Sequence, residues 1–217
     1  LADGRTVEAA VTEQTGKTGE KHVIVGYEKV EAPFISSYIH KINGKLASVV
    51  GFSKEFDSQV AKGVAMQVAS MNPVAVSAAD CSQEVIDNEL KVAVDKTKEE
   101  LVQKAVNAAL DKAGINPAHV DSEAHIESNT AKGWLTPEQA EQAREIIKTV
   151  SAEKAANLPE QMVQNIAKGR LQKFFKEQTL EEQGYQMGDG KTPVKDVIAA
   201  SDKEAKILSF KRRSLND

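Results

Sequence analysis

The stretch at residues 34–53, FISSYIHKINGKLASVVGFS, decides the fold. Two apolar, β-prone runs, 34–41 and 45–53, flank Asn43-Gly44. Asn-Gly between such runs is the strongest short-range signal for a two-residue hairpin, because both residues tolerate positive φ. Upstream, residues 22–29 (HVIVGYEK) are rich in Val and Tyr and read as a further strand. Residues 205–210 (AKILSF) offer another near the C-terminus. The expectation is an antiparallel meander of three or four strands.

Beyond Phe56 the period changes. Val60, Val64, Val68 and Met71 recur at spacings of three and four, which gives a helix one apolar face until Pro73 ends it. From Ser82, the stripe Ile86, Leu90, Val94, Leu101, Ala105 and Ala108 runs to Gly114. A helix of that length extends roughly 45 Å at 1.5 Å per residue, too far for a small core to cover, so it should protrude and pair with another helix. Residues 159–176 supply the partner, with Pro159 at its first position and Val163, Ile166, Ala167, Arg170 and Phe174 on one side. Between them, the polar run 121–132 reads as loop. Thr136-Pro137-Glu138-Gln139 is a capping signal, and Ala140, Ala143, Ile147 and Val150 follow at heptad-like spacing, which makes a helical tip. The fold class is therefore α+β: a three- to four-stranded antiparallel sheet covered by helices near 56–71 and 192–201, with a protruding antiparallel helical hairpin. The expected divisions are 1–80, 81–176 for the hairpin arm, and 177–217 for completion of the first part.

Composition narrows the function. The 217 residues include 28 Lys or Arg and 32 Asp or Glu, for a net charge of -4. No basic field is available for phosphates, so nucleic acid is not an expected partner. No apolar run approaches the roughly 20 residues of a membrane span, so no membrane is expected either. The single cysteine, Cys81, fits a reducing, cytoplasmic compartment. Opening on Leu1-Ala2-Asp3-Gly4-Arg5, with neither an initiator Met nor a signal-peptide core, the chain is expected to be a piece of a longer protein. Five aromatics lie between Tyr27 and Phe56, four more are Phe174, Phe175, Tyr185 and Phe210, and Trp134 stands alone between the groups. Aromatics dominate cores, so the core is expected from the two ends of the chain, with a thin helical middle. Residues 81–157 carry 14 acidic and 9 basic residues, so the arm is the acidic part.

Sites of chemistry are tested by their spacing. Gly16-Lys17-Thr18 and Gly190-Lys191-Thr192 lack the first Gly of a phosphate loop and the strand-to-helix setting that lets backbone N–H groups cradle phosphate. His119 and His125, with Asp121, Glu123 and Glu127, have metal-ligating chemistry, but no periodicity makes them converge. Cys81 precedes a helix start without a His and acid arrangement. No catalytic, metal or cofactor site is expected. Trp134 and Leu135 stand out at the tip, where an aromatic amid polar residues either anchors a partner or staples the helix after Thr136.

Several segments carry a resemblance. Residues 56–73 (FDSQVAKGVAMQVASMNP), then 74–90 (VAVSAADCSQEVIDNEL), resemble bacterial translation elongation factor Ts, in which an Ala-Met-x-Val-Ala helix is followed by Pro and an acidic stretch opening a long helix. Residues 168–187 (KGRLQKFFKEQTLEEQGYQM) are similar to its Gly-Arg-Met/Leu-x-Lys-Phe segment, and Lys191-Thr192-Pro193-Val194 to its Lys-Thr-Val. These cover most of the chain outside 114–156, in the family's order.

The resemblance implies a guanine-nucleotide exchange factor that binds the GTPase elongation factor Tu and promotes GDP release. Such a factor makes and breaks no bond, so the chain is not expected to be an enzyme. Two departures qualify this. The family's ubiquitin-associated-like domain and its N-terminal core subdomain with Thr-Asp-Phe-Val are not found here, which leaves the C-terminal core subdomain and the arm. In the family that subdomain docks chiefly on the third domain of elongation factor Tu, so the resemblance implies docking without full exchange. The segment from about 114 to 157 is also longer than in the simplest family members. Tyr38, His40 and Asn43 at the hairpin, and Met66 and Gln67 on the helix, are the candidate partner-binding residues. Self-association through the arm is a further candidate. The alternatives are a coiled-coil adaptor recruiting a partner through Trp134, and a small-molecule enzyme, which would need a polar pocket with perturbed titratable groups.

Overall fold

The computed structural model describes residues 1–41 and 44–215. Among these, the chain forms three strands and seven α-helices. It divides into two compact units, residues 1–71 with 198–217, and residues 72–197.

The first unit is built on a three-stranded antiparallel sheet, β1 (Phe34–Ile39), β2 (Leu46–Phe52) and β3 (Ile207–Ser214), in the order β1-β2-β3. Its central strand pairs with residues some 160 positions downstream, Val50 opposite Phe210. The alternation of β1 puts Phe34, Ser36 and Tyr38 on the covered face and Ile35, Ser37 and Ile39 on the exposed one. Helix α2 (Ser58–Met71) lies on the covered face: the Ser48 hydroxyl donates to Ala65 O at 2.6 Å, and Arg212 Nε donates to Ala69 O at 3.0 Å. Asp57 starts this helix by accepting from the N–H groups of Gln59 and Val60. It stops where Asn72 takes a left-handed φ of 46° and Pro73 follows. The small residues Ala61, Gly63, Ala65 and Ala69 are buried beside Val64 and Val68, which brings the helix close to the sheet. The rings of Phe34, Phe52 and Phe56 meet at centroid distances of 5.0–6.0 Å and close one corner of this core.

Three expectations are corrected here. The chain at 22–29 forms no strand. It crosses the exposed face of the sheet, held by side chains rather than a ladder, with Glu28 paired to Arg213 and Lys211. Gly51 permits that crossing, since a Cβ there would stand 2.7 Å from Ala32 Cβ and 2.9 Å from Val30 Cγ1. Second, the hairpin is not a two-residue turn. Ile39 pairs with Ala47 and His40 N–H donates to Leu46 O, so the loop is longer, with Gly44 at φ 63°. Asn43 lies outside the described residues. Third, residues 7–18, not read as regular structure, form α1 (Val7–Thr18), capped by Thr6 and by Gly19 in the left-handed region.

The second unit is helical. Helix α3 (Gln83–Lys112) begins at the Ser82 cap and runs 30 residues. It packs against both α5 (Pro137–Ala156) and α6 (Glu160–Gln178), which follow one another across Asn157, Leu158 and Pro159. The sequence pairs α3 with the second of these; the structure adds the first. The polar run at 121–132 is not loop: Ser122 caps a helix, α4 (Glu123–Ala131), whose Ile126 is buried. Ile126 joins Val106, Leu110, Ile115, Val120, Leu135, Ala140 and Ala143 in one core, so the middle of the chain is not a thin excursion. Periodicity missed α4 because, in nine residues, few of its side chains are apolar and the polar Asn129 is buried beside Ile126. Phe174, Phe175 and Tyr185 belong to this unit too, so of the late aromatics only Phe210 serves the sheet. Helix α7 (Val194–Ser201) follows.

Candidate functional site

Strand β1 ends at Ile39, and the next residues turn away toward the hairpin loop. His40 holds that turn with both backbone groups, donating to Leu46 O at 2.9 Å and accepting from Gly44 N at 2.8 Å. Its ring is fixed from the other side: Tyr38 Oη and His40 Nδ1 are 2.9 Å apart, with ring centroids at 6.1 Å. Tyr38 and His40 are two apart on the chain, so the period of a strand sets them on one side. Both are half-buried. An open cleft of about 490 Å³ lies beside them, lined by Ser37, Tyr38, Ile39, His40, Lys41 and Lys62.

Of the helix candidates, Met66 is half-buried and Gln67 is fully buried at 0% exposure. Gln67 therefore shapes this surface only through the neighbours it packs against. Lys62 lies one helical turn before Met66, on the same face, and it is Lys62 that reaches the cleft. Tyr38, His40 and Lys62 are thus gathered at one place. Sequence reasoning passed over Lys62, Lys41 and Ile39, although the four-residue spacing to Met66 pointed to the first. Ile39 is 62% exposed at the end of its strand.

The other sequence candidates fall elsewhere. Lys17 and Thr18 close the last turn of α1, the wrong end of a helix for phosphate. The N–H groups of Lys191 and Thr192 donate to Asp189 Oδ1, both at 2.8 Å, so this Gly-Lys-Thr is a turn around a carboxylate. Those bonds, the one from Thr192 first, hold the Asp189 carboxyl below its ordinary value. His125 pairs with Asp121 and Glu123 with Arg144, and among the described residues no group of three or more His, Cys, Asp or Glu is placed to hold a metal ion. The Cys81 thiol is pushed up, by burial first and by Asp80 second, which disfavours the thiolate.

At the tip, Leu135 and Trp134 have divided the roles the sequence left open between them. Leu135, at 4% exposure, shares a core with Ala140 and is the staple. Trp134 is 62% exposed, with the His119 ring at 5.6 Å and Lys132 Nζ 5.3 Å from its centre. Its backbone is fixed by donation to Asn129 O at 2.9 Å.

A small antiparallel sheet backed by one helix, with a unit of paired long helices, makes this an α+β protein. The family model for elongation factor TS matches residues 1–217, and the chain belongs to that family. It is 57% identical over 210 residues to elongation factor Ts of Bacteroides fragilis, covering 97% of this chain and 63% of the relative. The same protein of Bacteroides thetaiotaomicron is 56% identical over the same shares, and that of Porphyromonas gingivalis 31% over 216 residues and 58% of its length. The chain thus spans less than two thirds of the length of these relatives. Among the described residues, no helix is long and apolar enough to cross a membrane.

Proposed function

We propose that the chain binds the GTPase elongation factor Tu and contributes to guanine-nucleotide exchange on it, as a translation factor of the cytoplasm. The observation that carries this reading is the match of the elongation factor TS family over residues 1–217. The physical logic is linkage. A factor that binds the nucleotide-poor form of its partner more tightly lowers the partner's nucleotide affinity by the same ratio. Such a factor needs no nucleophile and no acid–base pair, only a surface that discriminates two states of another protein. The docking surface in this proposal is the end of β1 with α2: Tyr38, His40 and Met66 at the surface and Gln67 beneath it, with Asn43, which lies outside the described residues, as a further candidate. On this reading residues 1–217 dock without giving full exchange by themselves.

Calorimetric titration of the chain into elongation factor Tu, once GDP-loaded and once nucleotide-free, tests the proposal. Tighter binding to the nucleotide-free form is the expected result. Equal binding to both would reduce the chain to a docking module, and binding to neither would remove the reading. A second reading, an adaptor that recruits another protein through the arm, is favoured by one observation, the exposed Trp134, whose backbone N–H is bonded to Asn129 O. The substitution Trp134→Ala separates them, because it should leave binding to elongation factor Tu nearly unchanged.

A further inference from the structure

The cleft beside Tyr38 and His40 contains an unbalanced charge. Several basic residues of the first unit are matched by carboxylates: Arg5 by Asp3 and Glu13, Lys17 by Glu13, Lys29 by Glu31, Lys54 by Asp202 and Glu204, and Lys211 and Arg213 by Glu28. Lys41 and Lys62, like Lys21, Lys203 and Lys206, carry no ion pair among the described residues, and what sets the two apart is their place at the cleft. Both line the cleft, both are exposed, and among the described residues neither has an acidic partner. Among the described residues, no carboxylate lines the cleft. The unit as a whole carries 13 basic and 11 acidic residues, while the helical unit carries 15 and 21, so the excess of positive charge is on the sheet side. Two ammonium groups over one cleft repel each other weakly in water, and an entering carboxylate relieves that repulsion while meeting both.

We propose that this cleft receives an acidic side chain of the protein partner, held by Lys41 and Lys62 with His40, while an apolar neighbour of that side chain rests on Ile39. The inference rests on the docking reading above and names the chemistry of the patch that docks. His40 fits it: a carboxylate can only accept, so binding selects the ring form with its proton on Nε2. The Tyr38 hydroxyl then donates to Nδ1, across the 2.9 Å contact already present. Ile39, mostly exposed at the rim, supplies the apolar contact that charge alone lacks.

The test is titration of elongation factor Tu with the unaltered chain, with Lys41→Glu/Lys62→Glu, and with Lys203→Glu as a control at an exposed position away from the cleft residues. The double reversal should weaken binding more than tenfold, about 1.4 kcal/mol, while Lys203→Glu stays within twofold. The neutral pair Lys41→Gln/Lys62→Gln should weaken binding less and flatten its dependence on salt. If the unaltered chain binds and the double reversal binds as well, the acidic-patch inference is overturned and docking stands. An equal loss with Lys203→Glu would mean diffuse attraction and also overturns it. No binding by the unaltered chain removes both readings.

Discussion

Phe52 in the sheet unit and Leu110 in the helical unit are both sealed from solvent, at 0% and 1% exposure, yet their surroundings differ in kind. Around Phe52 the contacts are aromatic and far apart in sequence: two other Phe rings and a strand that arrives some 160 residues later. Around Leu110 they are aliphatic and near in sequence, from Val106 to Ala143. Charge divides the same way, with a net of +2 in the first unit and -6 in the second. The lesson concerns how interiors are recognised. Aromatic content locates a core in which few large side chains do the filling. It passes over one in which small aliphatic residues interdigitate along paired helices, although packing density is the same in both.

The largest expected effect follows from concentration of the sheet core in one ring. Phe52→Ala should cost about 3–5 kcal/mol, since its neighbours in β1, β3 and the segment before α2 cannot all collapse onto the space. Amide exchange in β2 should accelerate accordingly, while the urea midpoint seen by Trp134 fluorescence, which reports the helical unit alone, should move much less. Equal movement of both probes would break the contrast. In the helical unit the corresponding weak point is polar. The side-chain amide of Asn129, 7% exposed, donates to His119 O at 2.9 Å, while its backbone carbonyl, which an alanine would keep, takes the Trp134 and Leu135 N–H groups. Asn129→Ala should cost about 1–3 kcal/mol by leaving the His119 carbonyl unpaired. The checking measurement is Trp134 anisotropy, which should fall. An unchanged signal would mean that the tip is ordered by Leu135 packing and not by this bond.

A smaller loss, about 1 kcal/mol, is expected of Thr136→Ala. Thr136 Oγ1 accepts from Gln139 N at 3.2 Å, the half that the substitution removes, while the Gln139 side chain still accepts from the Thr136 backbone N–H at 3.0 Å. Helicity lost at α5 in a circular dichroism melt would show it, and an unchanged midpoint would count against the box as a stabilising device.

That box is the clearest case of structure legible in advance, because capping is chemistry between residues three apart. The same is true of α2, where a period of 3.6 and Pro73 gave both face and end, and of the pairing of two apolar runs into β1 and β2. What could not be read was whatever depends on distant neighbours. The run at 22–29 has strand-forming residues, yet whether it joins a ladder depends on the free edges around it, and it crosses the sheet instead. Helix α4 is short and mostly polar, and its burial is fixed by Leu110 and Ala143, which no local window contains. At the candidate surface, Tyr38 and His40 stood out as a strand pair, whereas Lys62 enters the cleft from another element. Gln67, on the helix that carries the family run, proved to be interior.

The smallest effect tests the electrostatic half of the comparison. Arg144 Nε donates to Glu123 Oε1 at 2.9 Å, joining α4 to α5, and this bond holds the Glu123 carboxyl below its ordinary value of 4.5, against a smaller upward push from burial. Unfolding returns the carboxyl to the ordinary value, so the unfolded chain binds the proton more readily. The stabilisation is therefore complete at pH above about 4.5, and it is lost as the pH falls through the lower folded value. In the sheet unit Lys54 acts on Asp202, and Arg213 on Glu28, in the same direction. Acid should thus weaken both units, and the comparison is sharpened by silencing one of them. Glu123→Gln keeps the shape of the side chain and removes its titration. It should flatten the acid side of the Trp134-reported stability profile, below about pH 4.5, and leave the pH dependence of β2 amide exchange as it was. A Trp134 profile that keeps its full acid slope would assign that slope to other carboxylates of the acidic unit, and the link between α4 and α5 would then rest on Ile126 and Ala143 rather than on charge.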